Sequence, residues 1–125
     1  MTERIFLAVV GVAYLVLALW CSLRPTQTSH SVGLSLTPGS GQSEYLVVYG
    51  GLEFGLGVIF LLPLFAPENA SFALLACLVL HASLVLFRTV GFFLYSGLHA
   101  TTYVLAGVEW LICLGALAAT LVRNR

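Results

Sequence analysis

Residues 70–95 read ASFALLACLVLHASLVLFRTVGFFLY, a run in which Arg88 is the one charged side chain. At about 1.5 Å of rise per residue, a helix over this run is long enough to cross the roughly 30 Å hydrocarbon core of a bilayer. The run is continuously apolar rather than alternating, which excludes a strand of a membrane barrel. Working outward, 5–23, 45–65 and 101–122 have the same character. Composition points the same way. The chain has 125 residues, 60% of them hydrophobic and 8% charged, with no lysine or aspartate. Its mean hydropathy is +1.04. A soluble domain carries charge on about a quarter of its residues, so this chain is expected to exchange water for lipid. The five arginines balance the five glutamates, which gives no electrostatic reason to bind nucleic acid and leaves membrane lipid as the expected partner.

The expected fold is therefore all-α: one domain over 1–125, an integral membrane four-helix bundle with antiparallel up-down connectivity. The links 66–69 and 96–100 are short and force antiparallel neighbours, whereas 24–44 forms a long outer loop rich in Ser, Thr, Gly and Pro. Within that loop Val32, Leu34 and Leu36 alternate with smaller or polar residues, the pattern of a short strand or cap across the bundle mouth, with disorder as the alternative. Arg4, Arg123 and Arg125 on one face outnumber Arg24 on the other, which puts both termini in the cytoplasm. The first span lacks an A-x-A cleavage site and is expected to be retained. Cys21 follows bulky Trp20 rather than the small residue that lipoprotein processing wants. Asn69-Ala70-Ser71 matches a glycosylation acceptor, but on the predicted cytoplasmic side Asn69 is better placed to cap the following helix.

Three charged residues fall inside spans: Glu53, Arg88 and Glu109. Each would be costly facing lipid, so each is expected to meet something polar. Counting rise from the span centres puts all three in the outer half of the bundle, on three different helices. At about 100° per residue, Glu53 shares a stripe with Leu46, Tyr49, Gly50, Gly57 and Phe60. By the same count Arg88 aligns with Cys77, His81, Val85, Gly91 and Tyr95, and Glu109 with Thr102, Ala106, Cys113 and Ala116. Tyr14 is the one clear hydrogen-bonding side chain that the first helix offers this interior. The expected site is a Glu53/Arg88/Glu109 triad with His81, Tyr49 and Tyr14 around it. Two acids against one guanidinium leave one acid to hold a proton, with His81 or a cationic ligand as the alternative source of the missing positive charge. The competing structural reading is that such a triad only fixes helix pairing and register.

Other residues carry less chemistry. His81 has no second ligand at metal spacing, so no metal is assigned, and isolated it reads as an interior hydrogen-bonding residue. Cys21, Cys77 and Cys113 form an odd set without C-x-x-C and read as small apolar side chains. Gly51 and Gly55 form a G-x-x-x-G seam opposite Glu53, where a second copy or a larger membrane complex could dock. Trp20, Tyr45, Tyr95, Tyr103 and Trp110 suit interfacial anchoring.

The run Glu44-Tyr45-Leu46-Val47-Val48-Tyr49-Gly50-Gly51-Leu52-Glu53, with Arg88-Thr89-Val90-Gly91 and Glu109, resembles the DUF4345 family of small four-span bacterial membrane proteins, itself distantly similar to the DoxX-like group. The resemblance covers nearly all of the chain beyond the first helix and implies a bacterial plasma membrane. In that family an arginine often stands about a turn before Tyr-Gly-Gly, where this chain has Leu46, so an anion-binding role implied by the pattern lacks its second positive charge. The DoxX-like likeness implies association with quinone-linked redox systems or larger membrane assemblies, at the level of fold only. No cofactor is assigned.

Three functions fit these residues. The first is binding of the head of a lipophilic molecule, a lipid, isoprenoid or quinone-like compound, by the polar site between helices. The second is an accessory subunit docked through Gly51 and Gly55. The third is proton-coupled transport or intramembrane catalysis through the glutamates, for which four short spans without an inverted repeat offer a narrow path.

Overall fold

The computed structural model describes residues 2–123; Arg125, one of the arginines that set the expected orientation, lies outside the described residues. The chain forms α1 (Thr2–Leu23), a short α2 (Pro25–Ser31), α3 (Ser40–Phe65), α4 (Ala70–Leu94) and α5 (Ala100–Arg123). No strand occurs among the described residues. The four long helices are apolar enough to cross a bilayer, and Val9, Phe54, Phe87, Phe93 and Leu111 stand on their outer surfaces. Outward apolar side chains of this number are stable only against hydrocarbon, which makes this an integral membrane helical bundle.

Small residues set how close the helices come. Leu7, Val10, Phe60, Ala73, Leu74, Cys77 and Ala116 make the buried core. A Cβ placed on Gly11 would stand 3.0 Å from the Gly57 carbonyl oxygen, and one on Gly57 equally 3.0 Å from the Gly11 carbonyl oxygen. α1 and α3 therefore cross with backbone against backbone, the approach that membrane helices use when no water is left to drive them together. On α5, Gly115 leaves room for the Phe6 ring, whose edge would be 2.7 Å from an added Cβ.

Polar contacts tie the two ends of the bundle. The Arg4 Nε donates to the Pro63 carbonyl at 2.9 Å. That carbonyl would ordinarily accept from the residue four positions on, but Pro67 has no N–H, so the guanidinium satisfies an otherwise orphaned acceptor. Arg123 donates to the Ser71 hydroxyl. At the opposite end, His99 lies beside Gly33, which joins the 24–39 connection to the link between α4 and α5.

That connection is neither a strand nor a wholly irregular loop. Pro25 opens α2 at a first-turn position, where its missing N–H costs nothing. Thr28, Ser29 and Ser31 then return their hydroxyls to the carbonyls of Arg24, Thr26 and Thr28 at 2.8, 3.1 and 2.7 Å. α3 begins at Ser40 rather than Tyr45, with the Gly39 N–H donating to the Gln42 side-chain oxygen at 3.2 Å. Asn69 is not a side-chain cap. It closes the 3₁₀ turn Pro67–Asn69 instead, and its N–H bonds to the Ala66 carbonyl at 3.0 Å.

The second span also departs from a plain α-helix. Leu46–Leu52, the segment LVVYGGL, is π-helical. Wider i→i+5 turns rotate everything before them relative to Glu53. An unbroken α-helix would put Leu46 on the Glu53 stripe, yet Leu46 is 50% exposed and Tyr45 is buried at 4%. Tyr45 is thus no interfacial anchor. Its hydroxyl donates to Thr28 Oγ1 at 2.9 Å and lies 3.7 Å from Cys21 Sγ, latching α2 onto the bundle. Tyr45→Phe should cost about 1 kcal/mol through the lost bond and open the latch, so that buried Cys21 reacts with a membrane-impermeant maleimide faster than in the wild type. Unchanged labelling would show that α2 is held by other contacts.

Candidate functional site

The interior polar groups gather where α4 faces α1 and α5. Arg88 and Glu109 form a two-point ion pair: the Arg88 Nε donates to one carboxylate oxygen of Glu109 at 2.8 Å and Nη2 donates to the other. This fork-to-fork geometry fixes both side chains in direction as well as in charge. Glu109 is 12% exposed and Arg88 27% exposed at the side chain, so the acid is the enclosed partner and the guanidinium the accessible one.

Behind the pair, His81 is 1% exposed. Its Nδ1 lies 2.8 Å from the Cys77 carbonyl oxygen, which can only accept. In a neutral imidazole that nitrogen then carries the hydrogen, and Nε2 accepts from the Tyr14 hydroxyl at 3.2 Å. Tyr14 stands edge-on to both His81 and Phe60, so packing holds the bond in line. Cys77 Sγ is 3.6 Å from the same Nδ1.

The six expected site residues are therefore placed unevenly. Arg88 joins Glu109, and Tyr14 joins His81. Glu53 forms no ion pair among the described residues, and its Oε2 is buried without a hydrogen-bond partner. What the structure draws together is an arginine–glutamate dyad, with the second acid standing apart. The reason is geometric: Glu109 occupies the Nε/Nη2 edge of the one intramembrane guanidinium, and α3, which carries Glu53, packs chiefly along α1. Tyr49 stacks on Tyr45 with ring centroids 4.4 Å apart. Cys21, Cys77 and Cys113 are unpaired thiols.

A groove of about 330 Å³ opens beside the dyad, lined by Phe87, Arg88, Gly91, Phe92, Tyr95 and Thr102. Sequence reasoning had put Gly91, Tyr95 and Thr102 in phase with the charges but had no means of adding Phe87 and Phe92, which are ordinary lipid-facing aromatics until two helices are set side by side. The π-helical segment was missed too. Its one available signal is the pair Gly50-Gly51, since adjacent glycines lower the cost of a locally widened turn.

No curated protein and no solved structure matches the chain. A family described as a domain of unknown function, DUF4345, matches residues 2–120. That match runs from the first turn of α1 to the last turns of α5 and takes in Glu53, Arg88 and Glu109 alike. The chain belongs to the DUF4345 family.

Proposed function

We propose that this bundle binds the polar head of a lipophilic molecule, a lipid, isoprenoid or quinone-like compound, in the groove between α4 and α5, with Arg88 as the contacting residue. One observation carries the reading: Arg88 is tied to Glu109 yet still lines an open groove walled by aromatic side chains. An ion pair that served packing alone would need no opening beside it, whereas here the guanidinium borders a space that a polar head could enter. Concave, mainly apolar sites with a few polar groups are where small lipophilic ligands bind. In this reading His81 with Tyr14, together with Glu53 and Tyr49, belongs to the polar interior of the same bundle and not to the groove lining.

In this reading the helices run alternately up and down, both termini face the cytoplasm of a bacterial plasma membrane, and the ligand enters from the outer leaflet. A DoxX-like relationship is compatible with it and names no ligand.

Gly91 supplies the test. It lines the groove, and a Cβ added there meets nothing within 4 Å, so Gly91→Leu brings apolar bulk into the space while keeping both members of the ion pair. The variant should fold as the wild type does and lose most of the lipophilic material that co-purifies in mild detergent, measured by mass spectrometry of extracts. An unchanged extract from a folded variant would overturn the proposal.

A second reading, an accessory subunit, draws on α3: added Cβ atoms at Gly51 and Gly55 likewise meet nothing within 4 Å, which leaves that face free for a neighbour.

A further inference from the structure

The dyad also bears on which head the groove accepts. Resting on the reading that the groove holds a ligand, we infer that it takes an uncharged head bearing hydrogen-bond acceptors, such as an ester or ketone carbonyl, and turns away anions, with Glu109 as the specificity-determining residue. Glu109 contacts Arg88 through both carboxylate oxygens, so the charge of the guanidinium is already matched. A carboxylate or phosphate entering the groove would set a second negative charge against one positive charge, in a place where aromatic walls and lipid replace water. Such an uncompensated charge is strongly disfavoured at low dielectric.

A neutral acceptor meets no such penalty. Nη1 of Arg88 makes no hydrogen bond among the described residues, and its N–H groups are donors without a competing acceptor. Thr102 adds a hydroxyl to the same lining. The remaining walls, Phe87, Phe92 and Tyr95, suit a flat carbonyl-bearing group and the start of its chain. Phe92 is itself steadied by stacking on Tyr103 with centroids 5.4 Å apart. Among the described residues no other arginine serves the site: Arg4 holds the Pro63 carbonyl and Arg123 the Ser71 hydroxyl at the other end of the bundle, and Arg24 borders a separate surface depression beside α2.

The test uses the full chain in phosphatidylcholine nanodiscs and three probes with a common lauryl tail: methyl laurate, ionised laurate and dodecane. Wild type should bind methyl laurate about tenfold or more tighter than either of the others. In Glu109→Gln the amide keeps a hydrogen bond to Arg88 but not its charge, and the order should reverse, with laurate binding about tenfold tighter than the ester. Laurate binding the wild type as well as the ester does would overturn this inference while leaving the groove reading intact. Failure of all three probes to bind, with Gly91→Leu indistinguishable from wild type, would bring down the groove reading itself. The ranking on the wild type decides the matter even if Glu109→Gln does not fold, and a folded Glu109→Gln that still prefers the ester would remove Glu109 from the role.

Discussion

Arg88→Ala is expected to destabilise the bundle by on the order of 3 kcal/mol, the cost of leaving one member of an enclosed ion pair without its partner. Glu109 is the more enclosed of the two, at 12% exposure against 27%, and alanine leaves its carboxylate with neither of the donors it now holds. The reverse change, Glu109→Ala, should cost less, because Arg88 borders the groove and its long side chain can turn its head toward lipid headgroups. The two losses should not add. Removing both charges at once, as Arg88→Met with Glu109→Leu, should return most of the stability, since an ion pair exchanged for apolar side chains of similar volume is often close to neutral. Equilibrium unfolding of the four proteins in mixed micelles measures the cycle. Single variants within about 0.5 kcal/mol of wild type would mean that the pair is solvated and contributes no more than an exposed one.

The second large effect belongs to the α1–α3 crossing. Gly57→Ala is expected to cost about 1–3 kcal/mol, and Gly57→Leu more than that. A Cβ on Gly57 would meet Leu15 Cδ2 at 2.7 Å, Cγ at 2.9 Å and the Gly11 carbonyl oxygen at 3.0 Å. Leu15 can turn aside, but the carbonyl belongs to a helix backbone and moves only if α1 moves with it. Gly51→Ala and Gly55→Ala make the contrast on the same helix, where an added Cβ meets nothing. Exchanging glycine for alanine there should be neutral or stabilising by about 0.5–1 kcal/mol. The outer glycines also separate the two functional readings: Gly55→Leu should leave the melting temperature near that of wild type, and a shift on native gels from a larger species to the monomer would assign that face to a partner. A melting temperature for Gly57→Leu equal to that of Gly51→Ala would show that α1 and α3 do not cross as described.

Much of this was legible beforehand because the signals are local and strong. A continuous apolar run such as 70–95 can form little else in a bilayer, and Glu53, Arg88 and Glu109 stand out because charges inside such runs are rare. Helical phase held in the regular parts of the helices, where Cys77, His81 and Val85, in phase with Arg88, are buried, as are Ala106 and Ala116 in phase with Glu109, but Tyr95, just past the end of α4, is 68% exposed. It failed at Leu46, where the π-helical turn rotates the start of α3. The anchoring role read for Tyr45 failed as well, because its partner Thr28 lies in α2, a helix of only 7 residues and too short for a periodicity to be read.

The sequence by itself determined the medium, the four long helices and the short list of residues that lipid would not tolerate, because hydrophobicity and periodicity act over a few turns of one chain. Only the tertiary structure decided that Arg88 takes Glu109 and leaves Glu53 apart, that Tyr14 takes His81, and that a groove opens beside Arg88 rather than at the triad. Those outcomes depend on which helix lies beside which, and on side-chain reach across the gaps between them, where a difference of an ångström or two separates a hydrogen bond from none.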